Sequence, residues 1–326
     1  MKHIIALTIF SSFVALAHAQ APTSSANTYP IKPVKVVVGF APGGAADYVA
    51  RTLSDAMGKA LGQPIIVENK AGAGSSIAAE AVSKATPDGY TILIASPSSI
   101  SVNPALNPKL GYAPKDLMPV TKITTSPLVI AANPNAGIGS LTELVAKAKK
   151  APGTINYATS GNGSAPHLGA ALFAQVTGIE MTHIPFRGGG PAIQSVVAGD
   201  TQLTFGTPPS VLPMVQAGRL KGLGVSTKER TSLVPGLPGS IEAGVPDYAI
   251  EFWYGIFVPV GTPPAVVKKI FEATQTAMAQ PSVKASLARE GTDVDVSKSP
   301  EQFASFLAED AKFWVKLVKS AGVKLD

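Results

Sequence analysis

Continuous apolar runs alternate along the chain with stretches in which apolar residues recur at helical spacing. The first run, at residues 34–38, ends at Gly39, and apolar residues then recur at Val49, Leu53 and Met57. A run that is apolar at nearly every position is typical of a strand that is buried on both faces. Further elements of the same kinds are predicted at residues 65–68 and 90–95 for strands and 75–85 for a helix.

A second series of alternating strands and helices starts near residue 128. A capping box at Ser140 and Glu143 opens a helix that is predicted to reach Lys150. Regular alternation of strand and helix favours an open α/β sheet that is mostly parallel. The other predicted elements of this series are strands at 128–132, 156–159, 181–184, 201–205 and 220–225, and helices that begin near Ser164 and Gly189.

A stretch rich in proline and glycine, residues 234–246, separates the second series from the end of the chain. After it, a strand is predicted at 252–258 and helices at 263–279 and 303–321. Because 326 residues correspond to about two domains, we expect two α/β lobes, each a mostly parallel sheet flanked by helices. The first lobe would contain residues 29–125 and 252–326, and the second lobe residues 126–251.

The longest apolar stretch of the chain lies at its N-terminus. Lys2 precedes an apolar run at residues 4–17, and Ala17-His18-Ala19 forms a small-x-small cleavage site. We therefore predict a signal peptide at residues 1–19 that is cleaved near Ala19. A short membrane anchor is the alternative, but the polar residues 20–27 and the lack of a cysteine for lipid attachment disfavour it.

Composition and charge exclude several classes of protein. An apolar fraction of 45% excludes a disordered chain. The net charge is +6, but the basic residues are scattered rather than aligned with aromatic residues, so no nucleic-acid partner is predicted. The chain has no cysteine, which excludes disulfides and iron–sulfur or thiolate chemistry.

Two glycine-rich turns carry the clearest chemical signal. The first glycine turn spans residues 39–47 around Gly43, and the second glycine turn spans residues 160–167 around Gly161, about 120 residues later. Glycine lets the backbone approach a ligand, and the free N–H groups at a helix start can hold an anion without a basic side chain. Open α/β sheets bind ligands where such turns lie, so we expect a cleft that holds an anion from both sides. The alternative interpretation is that the glycines only make tight turns.

Few residues are suited to catalysis. The predicted mature chain has only His167 and His183, and it lacks a nucleophile elbow and a zinc-binding motif. His167 would either contribute to an anion site or pack within its helix, and His183 is expected to be structural. Asp47 would either cap its helix, which we favour, or act as a catalytic carboxylate. Arg187 would either pair with a carboxylate or extend into solvent.

Several stretches of the sequence resemble the Bug family, the periplasmic receptors of tripartite tricarboxylate transporters. They follow the family order over nearly the whole predicted mature chain, which makes the resemblance more specific than either glycine turn alone. The stretches are PGGAAD at 42–47, VENKAGAG at 67–74, PDGY at 87–90, YATSG at 157–161 with His167, HIPFRG at 183–188 and WYG at 253–255.

The resemblance implies a two-lobed Venus flytrap fold whose cleft closes on a small carboxylate. It also implies that backbone groups and water hold the carboxylate, and that a periplasmic monomer delivers it to integral-membrane transporter subunits without catalysis, metal or cofactor. The turns and the resemblance together give these expected ligand-binding residues: Phe40, Ala41, Pro42, Gly43, Gly44, Ala45, Asp47, Ala71, Gly72, Ala73, Ser96, Thr159, Ser160, Gly161, Asn162, Gly163, Ser164, His167 and Arg187.

One position departs from the family pattern. After the strand predicted at 201–205, family members often carry an acidic residue, whereas this chain has Gly206 and Thr207. An amino-acid ligand would lose a partner for its ammonium group, so a plain carboxylate or dicarboxylate, including an aromatic one, is the preferred ligand. A sensor for a membrane signalling partner and an α/β enzyme are the alternatives to a transport receptor.

Overall fold

The computed structural model describes residues 28–321. The predicted signal peptide and residues 322–326 lie outside the described residues. Within the described part, the chain forms a six-stranded and a five-stranded sheet, and helices flank both. No helix in this part is both long enough and apolar enough to cross a membrane.

Strands and helices alternate along most of the described residues. The strands are β1 (Val34–Val38), β2 (Ile65–Asn69), β3 (Thr91–Ala95), β4 (Leu117–Pro127), β5 (Val129–Ala132), β6 (Asn156–Thr159), β7 (Thr182–Pro185), β8 (Leu203–Gly206), β9 (Lys221–Val225), β10 (Glu251–Pro259) and β11 (Asp293–Val294). The α-helices are α1 (Ala45–Leu61), α2 (Ser76–Ser83), α3 (Asn103–Leu106), α4 (Leu141–Lys150), α5 (Ala165–Thr177), α6 (Gly189–Ala198), α7 (Pro208–Gln216), α8 (Pro264–Ala279), α9 (Pro281–Arg289) and α10 (Pro300–Ser320).

The two sheets define two lobes. The six-stranded sheet has the order β11-β4-β10-β3-β1-β2, and we call this sheet and its helices lobe 1. The five-stranded sheet has the order β7-β6-β8-β5-β9 and belongs to lobe 2. The chain leaves the first sheet between Pro127 and Val129 and returns to it between Val225 and Glu251. The lobe boundaries expected at residues 125 and 252 stay a prediction.

The two-lobed α/β class is confirmed, and both sheets are mixed, with parallel and antiparallel pairs. β1 pairs with β2 and β3, and β6 with β7 and β8, in parallel. By contrast, β10 is antiparallel to β3 and β4, and β5 is antiparallel to β8 and β9. The reason lies in the path between the lobes. The chain leaves lobe 1 along β4 and returns beside it along β10, so these two neighbours run in opposite directions.

Local sequence signals explain why several elements begin and end where they do. Half of the capping box of α4 forms: Ser140 Oγ accepts a hydrogen bond of 3.1 Å from the Glu143 N–H, whereas the Glu143 carboxylate accepts the Gly139 N–H at 2.7 Å and not that of Ser140. Helix α1 ends at Gly62, whose φ of 74° lies in the left-handed region that favours glycine. The sequence patterns did not predict β4, β11, α3, α7 or α9. Helix α7 contains Pro208, Pro209 and Pro213, and prolines at its first two positions are compatible with a helix start.

Each lobe has its own core, and helix α10 contacts both. Phe303 near the start of α10 packs in a lobe 1 cluster with Trp253 and Phe257. Trp314 near its other end packs in a lobe 2 cluster with Tyr248. The C-terminal helix therefore spans the two lobes instead of belonging to one of them.

Candidate functional site: a cavity between the lobes

The first glycine turn connects β1 to α1 and is held in shape by Asp47. One carboxylate oxygen of Asp47 accepts the Gly43 N–H at 3.1 Å, and the other accepts Asn69 Nδ2 at 3.0 Å. Arg51 Nε donates to both oxygens at 3.0 Å. Asn69 also donates to the carbonyl of Phe40 at 3.0 Å, so the carboxylate and the amide together fix the turn from inside.

The Asp47 carboxylate is charged because its hydrogen bonds outweigh its burial. Burial alone would raise its pKa, but the hydrogen bonds from Arg51, Gly43 and Asn69 lower the pKa below its ordinary value. Every donor in this network is a group of lobe 1. The arrangement therefore supports a structural role for Asp47 in shaping the turn, and it explains the acidic residue in the first turn of α1.

The second glycine turn connects β6 to α5 and is held by a histidine and a threonine. His167 Nδ1 accepts the Gly163 N–H at 3.1 Å, and Thr159 Oγ1 accepts the Gly161 N–H at 3.2 Å. Thr159 Oγ1 also lies 2.6 Å from His183 Nε2, and the rings of His167 and His183 stack with centroids 3.9 Å apart. Both histidines thus support the turn from behind.

A third turn, residues 72–75, precedes α2 and has left-handed backbone angles. Its φ values are +137° at Gly72, +47° at Ala73, +57° at Gly74 and +75° at Ser75. Among residues 28–321, Ala73 and Ser75 are the only residues other than glycine with positive φ. Such backbone costs about 1–3 kcal/mol per residue and persists only where the surroundings impose it. We call residues 72–75 the left-handed turn.

The two lobes touch across these turns. The Ala41 N–H of lobe 1 donates to the Arg187 carbonyl of lobe 2 at 3.3 Å. A Cβ added at Gly44 would lie 3.6 Å from the Gly189 nitrogen, and one added at Gly74 would lie only 2.4 Å from the Asn162 carbonyl oxygen. The glycines therefore let the backbones of the two lobes approach each other closely.

A narrow cavity with a volume of about 30 Å³ lies between the lobes where these segments meet. It is much smaller than occupied ligand pockets, which range over about 300–1,000 Å³, so the lobes must move apart to admit a ligand. Its walls are apolar residues and hydroxyls, and no charged side chain of the described residues lines it. The lining residues are Phe40, Gly44, Ala45, Ala46, Ser96, Ser160, Ala165, Pro166, Gly189, Ala192, Ile193, Thr204, Gly206, Thr207, Ser210 and Tyr254.

Four helix N-termini supply the polar character of this cavity. The first residues of α1, α5, α6 and α7 line it, and the residues that precede these helices make no side-chain capping bond. Uncapped N–H groups and the positive end of each helix dipole together favour an anion in the cavity.

The expected ligand-binding residues fall into two groups in the structure. Phe40, Gly44, Ala45, Ser96 and Ser160 line the cavity. The rest lie in or beside the three turns without lining it, and they are Ala41, Pro42, Gly43, Asp47, Ala71, Gly72, Ala73, Thr159, Gly161, Asn162, Gly163, Ser164, His167 and Arg187. Their contacts with a ligand stay a prediction.

His167 and Arg187 differ most from the role expected of a direct ligand contact. His167 borders a separate surface pocket together with Tyr157 and His183. Arg187 is exposed, and it contacts lobe 1 through its backbone carbonyl. A backbone-based anion site is thus a better account of this cleft than a site built on arginine.

The sequence reasoning missed most of the lobe 2 wall. Ala192 and Ile193 of α6, and Thr204 and Ser210 around the start of α7, line the cavity but were not expected to do so. The glycines of residues 188–190 before α6 were a signal that could have found part of this wall. Gly206 and Thr207, which depart from the family pattern, do line the cavity.

Buried polar atoms without a hydrogen-bond partner lie close to these turns. Within the described part of the chain they include Ser75 Oγ, Ser98 Oγ, Asn103 Oδ1 and Ser164 Oγ. Leaving a buried polar group unpaired costs about 1–3 kcal/mol, so such groups mark places where a ligand or ordered water is expected to bind. Ser164 directly precedes α5, whose first residues line the cavity.

Comparisons with known proteins agree with a solute-binding fold. The family described as Tripartite tricarboxylate transporter family receptor matches residues 49–323. The chain is 34% identical over 321 residues to Protein BugT of Bordetella pertussis, covering 98% of both proteins.

Two similar structures contain dicarboxylates. An R. palustris protein with adipate is 29% identical with a TM-score of 0.87, over 91% of this chain and 100% of that one. MatC from Rhodopseudomonas palustris with bound malate is 33% identical with a TM-score of 0.84, over 89% of this chain and 100% of that one.

Proposed function

Because this chain belongs to the receptor family of tripartite tricarboxylate transporters, we propose that it binds a small carboxylate or dicarboxylate between its lobes and delivers it to integral-membrane transporter subunits. Members of this family and its structural neighbours are periplasmic solute-binding proteins, not enzymes. In this proposal the protein is a monomer that acts in the periplasm after cleavage near Ala19.

One observation carries the proposal: the uncapped N-termini of α1, α5 and α6 converge on a cavity that no charged side chain of the described residues lines. Each terminus behaves as about half a positive charge, and its first N–H groups have no acceptor within the helix. An anion supplies both the negative charge and the acceptors. A cation would lack a counter-charge, since no aspartate or glutamate among residues 28–321 lines the cavity.

The hydroxyls near α7 narrow the ligand class. The Thr204 hydroxyl already donates to the Ala158 carbonyl at 3.1 Å, and Thr207 and Ser210 lie 3.4 Å apart and can share one donor. This corner therefore has about one O–H donor left for a ligand, and Pro208 and Pro209 supply no N–H. It suits a neutral part of the ligand, while carboxylate groups would bind at α1, α5 and α6.

Adipate and malate in the related structures make dicarboxylates the first compounds to test. Titration calorimetry of the mature protein with L-malate, succinate, adipate, benzoate and L-aspartate would measure the proposed activity. We expect at least one acid without an amino group to bind, and L-aspartate to bind at least about tenfold more weakly than that acid, because its ammonium group would lack a counter-charge. Equal or tighter binding of L-aspartate, or no binding of any acid, would contradict the proposal.

A proline at Ala45 tests the role of the α1 N-terminus. Ala45 is the first residue of α1, where proline is tolerated, and Gly44 before it has an extended backbone that suits a following proline. Ala45→Pro removes one N–H donor and should weaken the binding of the best acid at least about tenfold. Ala45→Val adds similar bulk but keeps the N–H, and it serves as the control. Equal losses in both variants would show that bulk, and not the donor, matters.

A further inference from the structure

The buried side chain of Asn103 holds the left-handed turn. Its Nδ2 lies 3.1 Å from the Ala73 carbonyl, 2.9 Å from the Gly74 carbonyl and 2.8 Å from Ser76 Oγ, and it donates to all three. Asn103 has no exposed surface. Two amide protons thus serve three acceptors, one of which is the carbonyl of Ala73, a residue with strained backbone.

The other end of the same amide faces lobe 2. Asn103 Oδ1 has no hydrogen-bond partner, and a Cβ added at Gly163 would lie only 2.4 Å from it. A Cβ added at Gly74 would in turn lie 2.9 Å from Asn103 Nδ2 and 2.4 Å from the Asn162 carbonyl oxygen. Asn103 therefore lies where the left-handed turn of lobe 1 meets the second glycine turn of lobe 2.

The segment that carries Asn103 is itself irregular. Residues Ser98–Val102, directly before it, form a π-helical turn, which in proteins often marks a functional site. Ser98, Ser99 and Ser101 in this segment are buried, and their hydroxyls have no partner. The segment follows Ser96, which lines the cavity, so it connects the ligand cavity to the contact between the lobes.

We infer that Asn103 is a positioning residue. It holds the left-handed turn in its strained conformation, and it fixes the position of this turn relative to the second glycine turn when the lobes close on a ligand. The inference rests on the proposed function, because it assigns a residue to the closure of the same cleft. Asn103 does not line the cavity, so it acts through the turn and not by touching the ligand.

Removing the amide tests whether the turn depends on it. Asn103→Ala should weaken binding of the best acid by at least about tenfold. Asn107→Ala is the control. It removes an amide whose oxygen accepts the N–H of the exposed Lys109, and it should change affinity less than about twofold. Adding Ala73→Gly to Asn103→Ala should recover at least about threefold, because glycine adopts the positive φ of residue 73 without strain.

A double-mutant cycle tests the contact between the lobes. Gly163→Ala should weaken binding about tenfold in the wild-type background, because its Cβ would meet Asn103 Oδ1. In the Asn103→Ala background the same change should cost less than about threefold, since the obstacle is gone and only the strain at Gly163 remains. Equal losses in both backgrounds would overturn the assigned contact.

Hydrogen–deuterium exchange of the ligand-free protein gives a readout that needs no ligand. In Asn103→Ala, amides of residues 72–76 should exchange at least about fivefold faster than in the wild type or in Asn107→Ala, and Ala73→Gly should reverse part of this change. Unchanged exchange in folded Asn103→Ala would overturn the inference. If that variant does not fold, Asn103→Ser is measured in its place. Failure of the wild-type protein to bind any acid would instead refute the proposed function alone.

Discussion

Asp47 shows how one buried carboxylate can fix the shape of a glycine turn. It lies in the first turn of α1, where a negative charge is favourable, and it accepts hydrogen bonds from Gly43, Arg51 and Asn69. Arg51 is more than half exposed, whereas the Asp47 side chain is 6% exposed. The stabilising contribution therefore comes mainly from the buried hydrogen bonds and less from the surface part of the ion pair.

Replacing this carboxylate should lower the stability of lobe 1. We expect Asp47→Ala to reduce the free energy of unfolding by about 2 kcal/mol at pH 7, because several partly buried hydrogen bonds lose their acceptor. The folded-state pKa of Asp47 is below its ordinary value, so the wild-type contribution is full above about pH 4 and is lost as the pH falls through the lowered pKa. Urea denaturation at pH 7 and pH 3 measures both effects.

The difference between wild type and Asp47→Ala should therefore shrink at pH 3. Asp55→Ala, which removes an exposed acid from the same helix, is the control and should change stability by less than about 0.5 kcal/mol. A difference that stays constant between pH 7 and pH 3 would show that Asp47 stabilises the turn through packing and not through its charge.

Helix α10 links the lobes, and Asp310 lies between its two packed ends. Asp310 Oδ2 accepts Trp253 Nε1 of β10 at 3.0 Å and Trp314 Nε1 of α10 at 2.8 Å. Burial raises the pKa of Asp310 to about 6, although the two indole hydrogen bonds and the nearby Lys122 oppose this shift. Asp310 Oδ2 thus links β10 of lobe 1 to Trp314, the residue of α10 that packs in the core of lobe 2.

The raised pKa of Asp310 predicts a pH-dependent stability. The folded state keeps the proton to higher pH than the unfolded state, so the stabilising contribution is full below about pH 4 and is lost as the pH rises to about 6. Asp310→Asn keeps an oxygen that can accept hydrogen bonds from both indoles but has no titrating group. Between pH 4 and pH 7, we expect its free energy of unfolding to change by roughly 2 kcal/mol less than that of the wild type. Chemical denaturation between pH 4 and pH 7 would measure it.

Glu309→Gln provides the control for this measurement, because Glu309 is an exposed acid of the same helix that pairs with Lys312. Its profile should follow that of the wild type. Parallel profiles for Asp310→Asn and the wild type would mean that Asp310 keeps an ordinary pKa.

At the scale of the whole molecule, the two lobes meet through glycine backbone on both sides of the cavity. Each lobe supplies part of the cavity wall, with the start of α1 from lobe 1 and the starts of α5, α6 and α7 from lobe 2. A ligand that contacts both lobes stabilises the closed form more than an open form, and this difference in affinity can drive closure.

A branched residue in the second glycine turn should disturb closure. Gly161 has φ +119°, and a Cβ there would lie 3.2 Å from the Phe186 carbonyl oxygen. Gly161→Val should therefore weaken carboxylate binding at least about tenfold, or about 1.4 kcal/mol, while the protein stays folded. Gly43→Val has open space around its Cβ, so its effect would come only from its φ of +81°. Calorimetry and ligand-induced compaction in small-angle scattering would measure both variants.

Arg187→Ala is the matched control, because this exposed side chain lies beside the same interface. Its loss of affinity should stay well below the roughly 2–5 kcal/mol expected when a buried charge pair loses one member. Unchanged affinity and compaction in both glycine variants would place the binding cleft elsewhere.

Local sequence patterns were sufficient to predict the class of fold and the two glycine turns. The apolar run at Val34–Val38, the capping box at Ser140 and the periodicity of α1 depend on residues a few positions apart, which set backbone hydrogen bonding and the buried face. The turns after β1 and β6 follow from the same signals. The structure places Phe40, Gly44 and Ser160 from these turns in the cavity wall.

Only the tertiary structure decided how distant segments pair and which of them meet at the cavity. β4 and β10 are more than 100 residues apart, and their antiparallel pairing depends on the chain path between the lobes. Ile193, Ser210 and Asn103 acquire their positions in the same way, through contacts with residues far away in sequence. Periodicity shows which face of a helix or strand is buried, but it does not show which other element packs against that face. That choice depends on packing over the whole chain, because each buried side chain must fit against residues that are distant in the sequence.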